Sequence, residues 1–337
     1  MLAMTSPKNI EITNIVLIGV SLLLAFLLPF RIFLLAYAIL GPLHYLTEIN
    51  WLNDKGYFVK SDKWLTFSLG LALLVALPKI ISFLGFAHPP YLQLVLGWVN
   101  EFSNGLIFIG LWGALILVVI KDVKWQILGI ICGLALAYLL NNEPIYLVLI
   151  GSMLPTVFHV FLFTMFFMFY GALKSQSSLG YVAVFSLMLA PFIIFNIDVE
   201  HELYNFPDYA KNTFLDNKFY LTNINLSKLL GIADGKSFYF YGNWELKAQT
   251  FIAFAYLYHY LNWFSKTAII GWHVGLKGKK AVAILTVWAV HVLLFVVDYR
   301  IGFMSALALS FLHVFAEFPL NALSVQGIYQ ELKARII

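Results

Sequence analysis

Charge is scarce in this sequence. Asp, Glu, Lys and Arg make up 11% of its 337 residues, against about 25% in a soluble domain. Hydrophobic residues make up 61%. A soluble globule of this size cannot hide that much apolar surface, because its exterior must stay hydrated. The scarcity excludes a soluble enzyme, a disordered chain and a nucleic-acid binder. For most of this chain the solvent is lipid. Cysteine is nearly absent too. Cys132 stands alone in an apolar run and excludes an internal disulfide. No solenoid-length repeat and no low-complexity tract is present. No small-x-small site follows the first apolar run, which leads almost directly into a second, so it does not read as a cleavable signal.

What is present is a series of long apolar runs. A bilayer core needs about 20 apolar residues per helix. The runs predict an all-α, polytopic membrane helix bundle of about ten transmembrane helices. They fall at 13–30, 32–49, 64–86, 101–120, 125–141, 145–170, 180–196, 248–272, 281–297 and 301–318. Segment 87–100, which opens on Pro89-Pro90, reads as interfacial. The whole chain, 1–337, reads as a single membrane domain with 197–247 as an ordered extracytoplasmic loop or cap. Loops of that length are uncommon unless functional, and this one is a candidate docking face for a membrane-protein partner. Cytoplasmic loops collect Lys and Arg. With both termini cytoplasmic, 12 basic residues fall inside and two, Arg31 and Arg300, fall in the short outer loops. The expected location is therefore a multi-pass integral membrane protein, of the bacterial inner-membrane kind.

Ionisable residues within spans are costly and are functional candidates by default. Four of the eight histidines, His44, His159, His259 and His313, fall within spans. At about 1.5 Å per residue they lie within about 12 Å of one another in depth. Two carry a carboxylate one turn on: His44 with Glu48, and His313 with Glu317. That spacing puts each pair on one helical face. His259 has Asn262 one turn on. Imidazole and carboxylate together suit iron, zinc or manganese, and a set with open positions suits iron(II) oxygen chemistry. The expected metal ligands are thus His44, His159, His259 and His313, with Glu48, Glu317 and Asn262 as catalytic or orienting groups. The run from Phe158 to Tyr170 carries six Phe, the makings of a slot for a long apolar substrate. Lys79 and Lys266 read as snorkelling side chains. Asp198, Glu200, His201 and Glu202 form a lesser candidate cation cluster.

Gly41-Pro42 followed by His44 and Glu48, and the late His313 and Glu317, resemble the first and last histidine motifs of the Brp/Blh-type membrane β-carotene dioxygenases. The resemblance covers about a tenth of the chain. It implies iron held by histidines and cleavage of a carotenoid to retinal. It casts His44 and His313 as iron ligands, with Glu48 and Glu317 where the family usually has Asp. The family's central His-x-x-x-His pair is missing; His159 and His259 stand on separate helices. The histidine boxes of membrane desaturases and alkane hydroxylases are also missing.

Three other readings fit the same residues. Four histidines on four helices supply two axial pairs for haem. Intramembrane His and Glu serve proton-coupled transport. An accessory subunit of a membrane complex needs only the loop as its docking face. The reading that uses the carboxylates as well as the histidines is a metal-dependent oxygenase or oxidase acting on an apolar, lipid-dissolved small molecule such as a carotenoid or an acyl chain.

Overall fold

The computed structural model describes residues 7–59, 63–85, 89–198, 201–232 and 235–336. The described residues form thirteen helices and no strand. In chain order they are α1 (Pro7–Leu27), α2 (Pro29–Asp54), α3 (Trp64–Leu84), α4 (Pro90–Glu101), α5 (Ser103–Val119), α6 (Val123–Leu140), α7 (Pro144–Ser175), α8 (Ser178–Asn196), α9 (Asp208–Asp216), α10 (Tyr220–Leu229), α11 (Asn243–Ser265), α12 (Gly278–Val297) and α13 (Tyr299–Ile336). Eight of them are long and apolar enough to cross a membrane. The pair α4 and α5, bent by 52°, makes a ninth span if taken as one. The expected eighth span, 248–272, falls largely on α11, which is not among these spans. It begins earlier than expected, and polar residues dilute its apolar character.

Two compact units divide the chain, with boundaries inside helices. The first comprises Met1–His44, Thr156–Lys277 and Val325–Ile337. Its centre is α11, of whose 23 residues 17 are buried. In this unit α1, α2, α8 and α10 all pack on α11. A helix walled by protein tolerates polar residues that lipid would reject. Gln249 and Thr250 are fully buried there. Gln249 donates to the Pro29 carbonyl at 3.1 Å and accepts from Asn223 of α10 at 3.1 Å. Lys247 is 5% exposed. Its amine reaches the Phe195 carbonyl at 3.1 Å, at the C-terminal end of α8, where a helix favours positive charge. The same amine bonds Asp198 at 2.9 Å. Hydrogen bonds from Lys247 and Asn243 hold the Asp198 carboxyl below its ordinary range. This latch is therefore present above the ordinary carboxylate pKa and is lost as pH falls through the depressed value. Asp198 is exposed, so solvent screens the pair.

Residues 201–203, α9, α10 and the first turn of α11 supply helical parts of segment 197–247. α9 packs on α2, and α10 on α11. The seal is aromatic. Phe30 of α2, 1% exposed, sits edge-on to Phe206 and Phe214 at 4.7 and 4.9 Å and tilted against Phe240 at 5.1 Å. Edge-to-face packing suits the ring quadrupoles and adds to the area buried. The Tyr204 hydroxyl donates to the Phe26 carbonyl at 2.7 Å.

The second unit, Tyr45–Pro155 with Gly278–Ser324, packs α3 against α4 and α5, and α5 against α6. Its outer helices are thinly covered. α6 buries Gly133 and Ala137, and α12 buries Phe295 alone. From Val282 onward the exposed residues of α12 are Val, Leu and Ala with Thr286, a surface suited to acyl chains rather than water.

Phe30→Ala removes the hub of the aromatic seal. It should cost about 3–5 kcal/mol and speed proteolysis within 197–247 while leaving the spans intact. Limited proteolysis in detergent reads this directly, and an unchanged digestion rate would contradict the docking described.

Candidate metal centre

Within the first unit three helices each bring one histidine inward. His44 comes from α2, His159 from α7 and His259 from α11. Their exposures are 1%, 1% and 6%. The Nε2 atoms of His44 and His259 lie 3.0 Å apart. The ring centroids of His159 and His259 lie 5.1 Å apart, nearly edge to face. Two of these helices depart from α geometry near the histidine. Ala36–Leu40, just before His44, is π-helical. So is Leu147–Phe163, which contains Pro155 and His159. A wider turn re-aims side chains, and π segments recur at functional sites.

The imidazoles are held from behind. Thr164 Oγ1, buried on α7, lies 2.7 Å from His259 Nδ1. With Nδ1 protonated toward that hydroxyl, Nε2 presents its lone pair toward His44. A histidine bonded through one nitrogen and presenting the other is the usual outer support of a metal ligand. Aromatic rings wall His44: Tyr260 at 5.2 Å and Trp263 at 5.6 Å. Asn262 is 6% exposed, and its amide oxygen has no hydrogen-bond partner among the described residues.

The second unit gathers the remaining expected site residues. His313 and Glu48 are each 2% exposed, with Nε2 and Oε2 3.7 Å apart. Glu317, one turn beyond His313 on α13, is also buried. The Tyr45 ring stacks on His313 at 4.5 Å. His313 Nδ1 lies 3.0 Å from the Ser310 carbonyl.

His273 and His291 stand apart from both sets. His273 and His291 bond backbone carbonyls of nearby residues, Thr267 and Val287. His88 lies outside the described residues, as does Glu200 of the lesser acidic cluster. Lys266 rests its amine 4.9 Å from the Phe167 ring centroid, a cation–π contact rather than an ion pair. All six Phe between 158 and 169 are half-buried. Thr164, Ser310 and Tyr45 went unread in the sequence. The faint signal for Thr164 was a hydroxyl little more than one turn after His159 on the same apolar helix.

No family model, no curated protein and no solved structure matches this chain.

Thr164→Val deletes the hydroxyl behind His259. It should destabilise the protein by about 1–3 kcal/mol, while Thr164→Ser stays near wild type. Thermal melting in detergent measures both, and a valine variant that melts with wild type would contradict the role given to the hydroxyl.

Proposed function

We propose that this chain is an integral-membrane, metal-dependent oxidoreductase. It is a non-haem iron oxygenase or oxidase acting on an apolar substrate dissolved in the bilayer, a carotenoid or an acyl chain. The observation that carries this reading is the meeting of three buried imidazoles from three helices of the first unit.

The donor set fits a metal. Two nitrogens each about 2.1 Å from one cation, at right angles, stand about 3.0 Å apart. His44 and His259 have that spacing. Two axial ligands on opposite sides of a haem iron would stand about 4 Å apart, so the spacing favours a non-haem ion over haem. Iron held by histidines with open positions supplies oxygen activation, and the same donors accept zinc or manganese.

The remaining roles belong to side chains. His44, His159 and His259 bind the ion. Thr164 holds the tautomer of His259. Tyr260 and Trp263 keep water from His44. Asn262 offers a buried amide to a polar group of the substrate. The half-buried Phe wall of α7 gives an apolar substrate a path from lipid. The excess of basic residues in the inner loops supports a reading with both termini cytoplasmic and the histidines in the inner half of a bacterial inner membrane.

Purification in detergent with iron supplied should give iron in stoichiometric amount and an absorption spectrum without a Soret band. His259→Ala and His159→Ala should each lose one equivalent. A Soret band would move the assignment to haem. Absence of bound metal after supply of iron, zinc and manganese would overturn it.

A further inference from the structure

We propose that Lys266 receives the headgroup of the substrate, and that the substrate is a long-chain fatty acid held by its carboxylate, with its chain laid toward the imidazoles of the first unit. This rests on the histidine reading above and names the substrate class within it.

A lysine amine carries a positive charge and three hydrogen-bond donors. Lys266 is partly buried, at the C-terminal end of α11. Among the described residues its amine has no hydrogen-bond or ion-pair partner. It rests against the Phe167 ring of α7, 4.9 Å from the centroid. Lys247, on the same helix, shows the contrast: its amine bonds both a carbonyl and Asp198. A positive charge suits the C-terminal end of a helix, but that alone gives the amine's hydrogens no acceptor. A cation within a membrane protein is costly unless an anion meets it.

The amine lies on the same pair of helices that orders the imidazoles. Thr164 of α7 stands 2.7 Å from His259 of α11, and Phe167, three residues on, carries the Lys266 amine. On α11, His259, Asn262 and Lys266 follow at spacings of three and four, which puts them on one face. The Lys266 backbone N–H donates to the Asn262 carbonyl at 3.3 Å, so the helical spacing holds as far as Lys266. Asn262 is 6% exposed, and its side-chain amide makes no hydrogen bond among the described residues. Its nitrogen offers a carboxylate a further donor beside the amine. His259 and Lys266 are seven residues apart, about 10 Å along the axis. A carboxylate held at Lys266 therefore brings chain carbons, not the acid group, to the imidazoles. The half-buried rings of Phe163, Phe166 and Phe167 give that chain an apolar wall. A hydrocarbon carotenoid has no group for the amine to hold, and a fatty acid has one.

Equilibrium binding of radiolabelled oleate, with oleyl alcohol as its neutral match, tests this on the full-length protein in nanodiscs of zwitterionic lipid. Wild type should prefer oleate by about tenfold, the contribution of a charge-assisted hydrogen bond. Lys266→Met should bind the two alike, with its affinity for the alcohol unchanged, and Lys266→Arg should keep the preference. Wild type binding the two alike would overturn the proposal without any variant. So would a preference that survives in Lys266→Met. Tighter binding of a lysophosphatidate than of oleate would overturn the carboxylate assignment by moving the anion to a lipid phosphate. Iron content is read on the same samples. Absence of the preference with iron still bound overturns this inference alone, and a preference for oleate in protein that takes up no metal overturns the histidine reading alone.

Discussion

Everything polar in this fold answers to one constraint: inside a bilayer, a buried donor or acceptor must find its partner within the protein. α11 shows the solution most fully. It carries Lys247, Gln249, Thr250, His259 and Asn262 through the centre of the first unit, with 17 of 23 residues buried. Each neighbour on it protects its backbone and polar side chains from lipid. Gln249 bonds in two directions, Lys247 caps the end of α8, and Thr164 stands behind His259. A helix so enclosed holds an imidazole at a fixed place and angle, which a ligand set requires.

The same constraint explains why the histidines are ordered rather than merely buried. Two of the expected ligands have one ring nitrogen engaged from the side away from the set: His259 by Thr164 and His313 by the Ser310 carbonyl. The engaged nitrogen decides what the other nitrogen presents. Departures from α geometry contribute as well. The π-helical turns beside His44 and around His159 shift side chains off the register that an unbroken α-helix would give them. Such turns shed stability unless something is gained at the site they shape.

Much of the fold was legible because lipid imposes a length. Apolar runs of about 20 residues read directly as spans, and eight of the helices match that expectation. α11 was the hardest to bound, since its enclosure lets it be polar: the run 248–272 begins five residues late because Lys247 and the residues before it look like loop. Segment 87–100 showed as apolar but short, and it is α4, bent by 52° from α5. At the site, the one-turn pairs His44 with Glu48 and His313 with Glu317 were visible as spacing. Depth along the chain placed four histidines in one layer, but depth says nothing of which way round each helix faces. Which imidazole meets which was therefore hidden, as were the π-helical turns and the outer partners Thr164, Ser310 and Tyr45. These depend on helix rotation, which packing sets and hydropathy does not record.

The central claim is that buried imidazoles of the first unit ligate iron. X-ray absorption at the iron edge, on iron-loaded protein in detergent, tests it most directly. The account predicts a first shell of nitrogen and oxygen at about 2.1 Å, with the outer-shell scattering of imidazole rings, weakened in His259→Ala. A spectrum without imidazole scattering, identical in the variant, would contradict it.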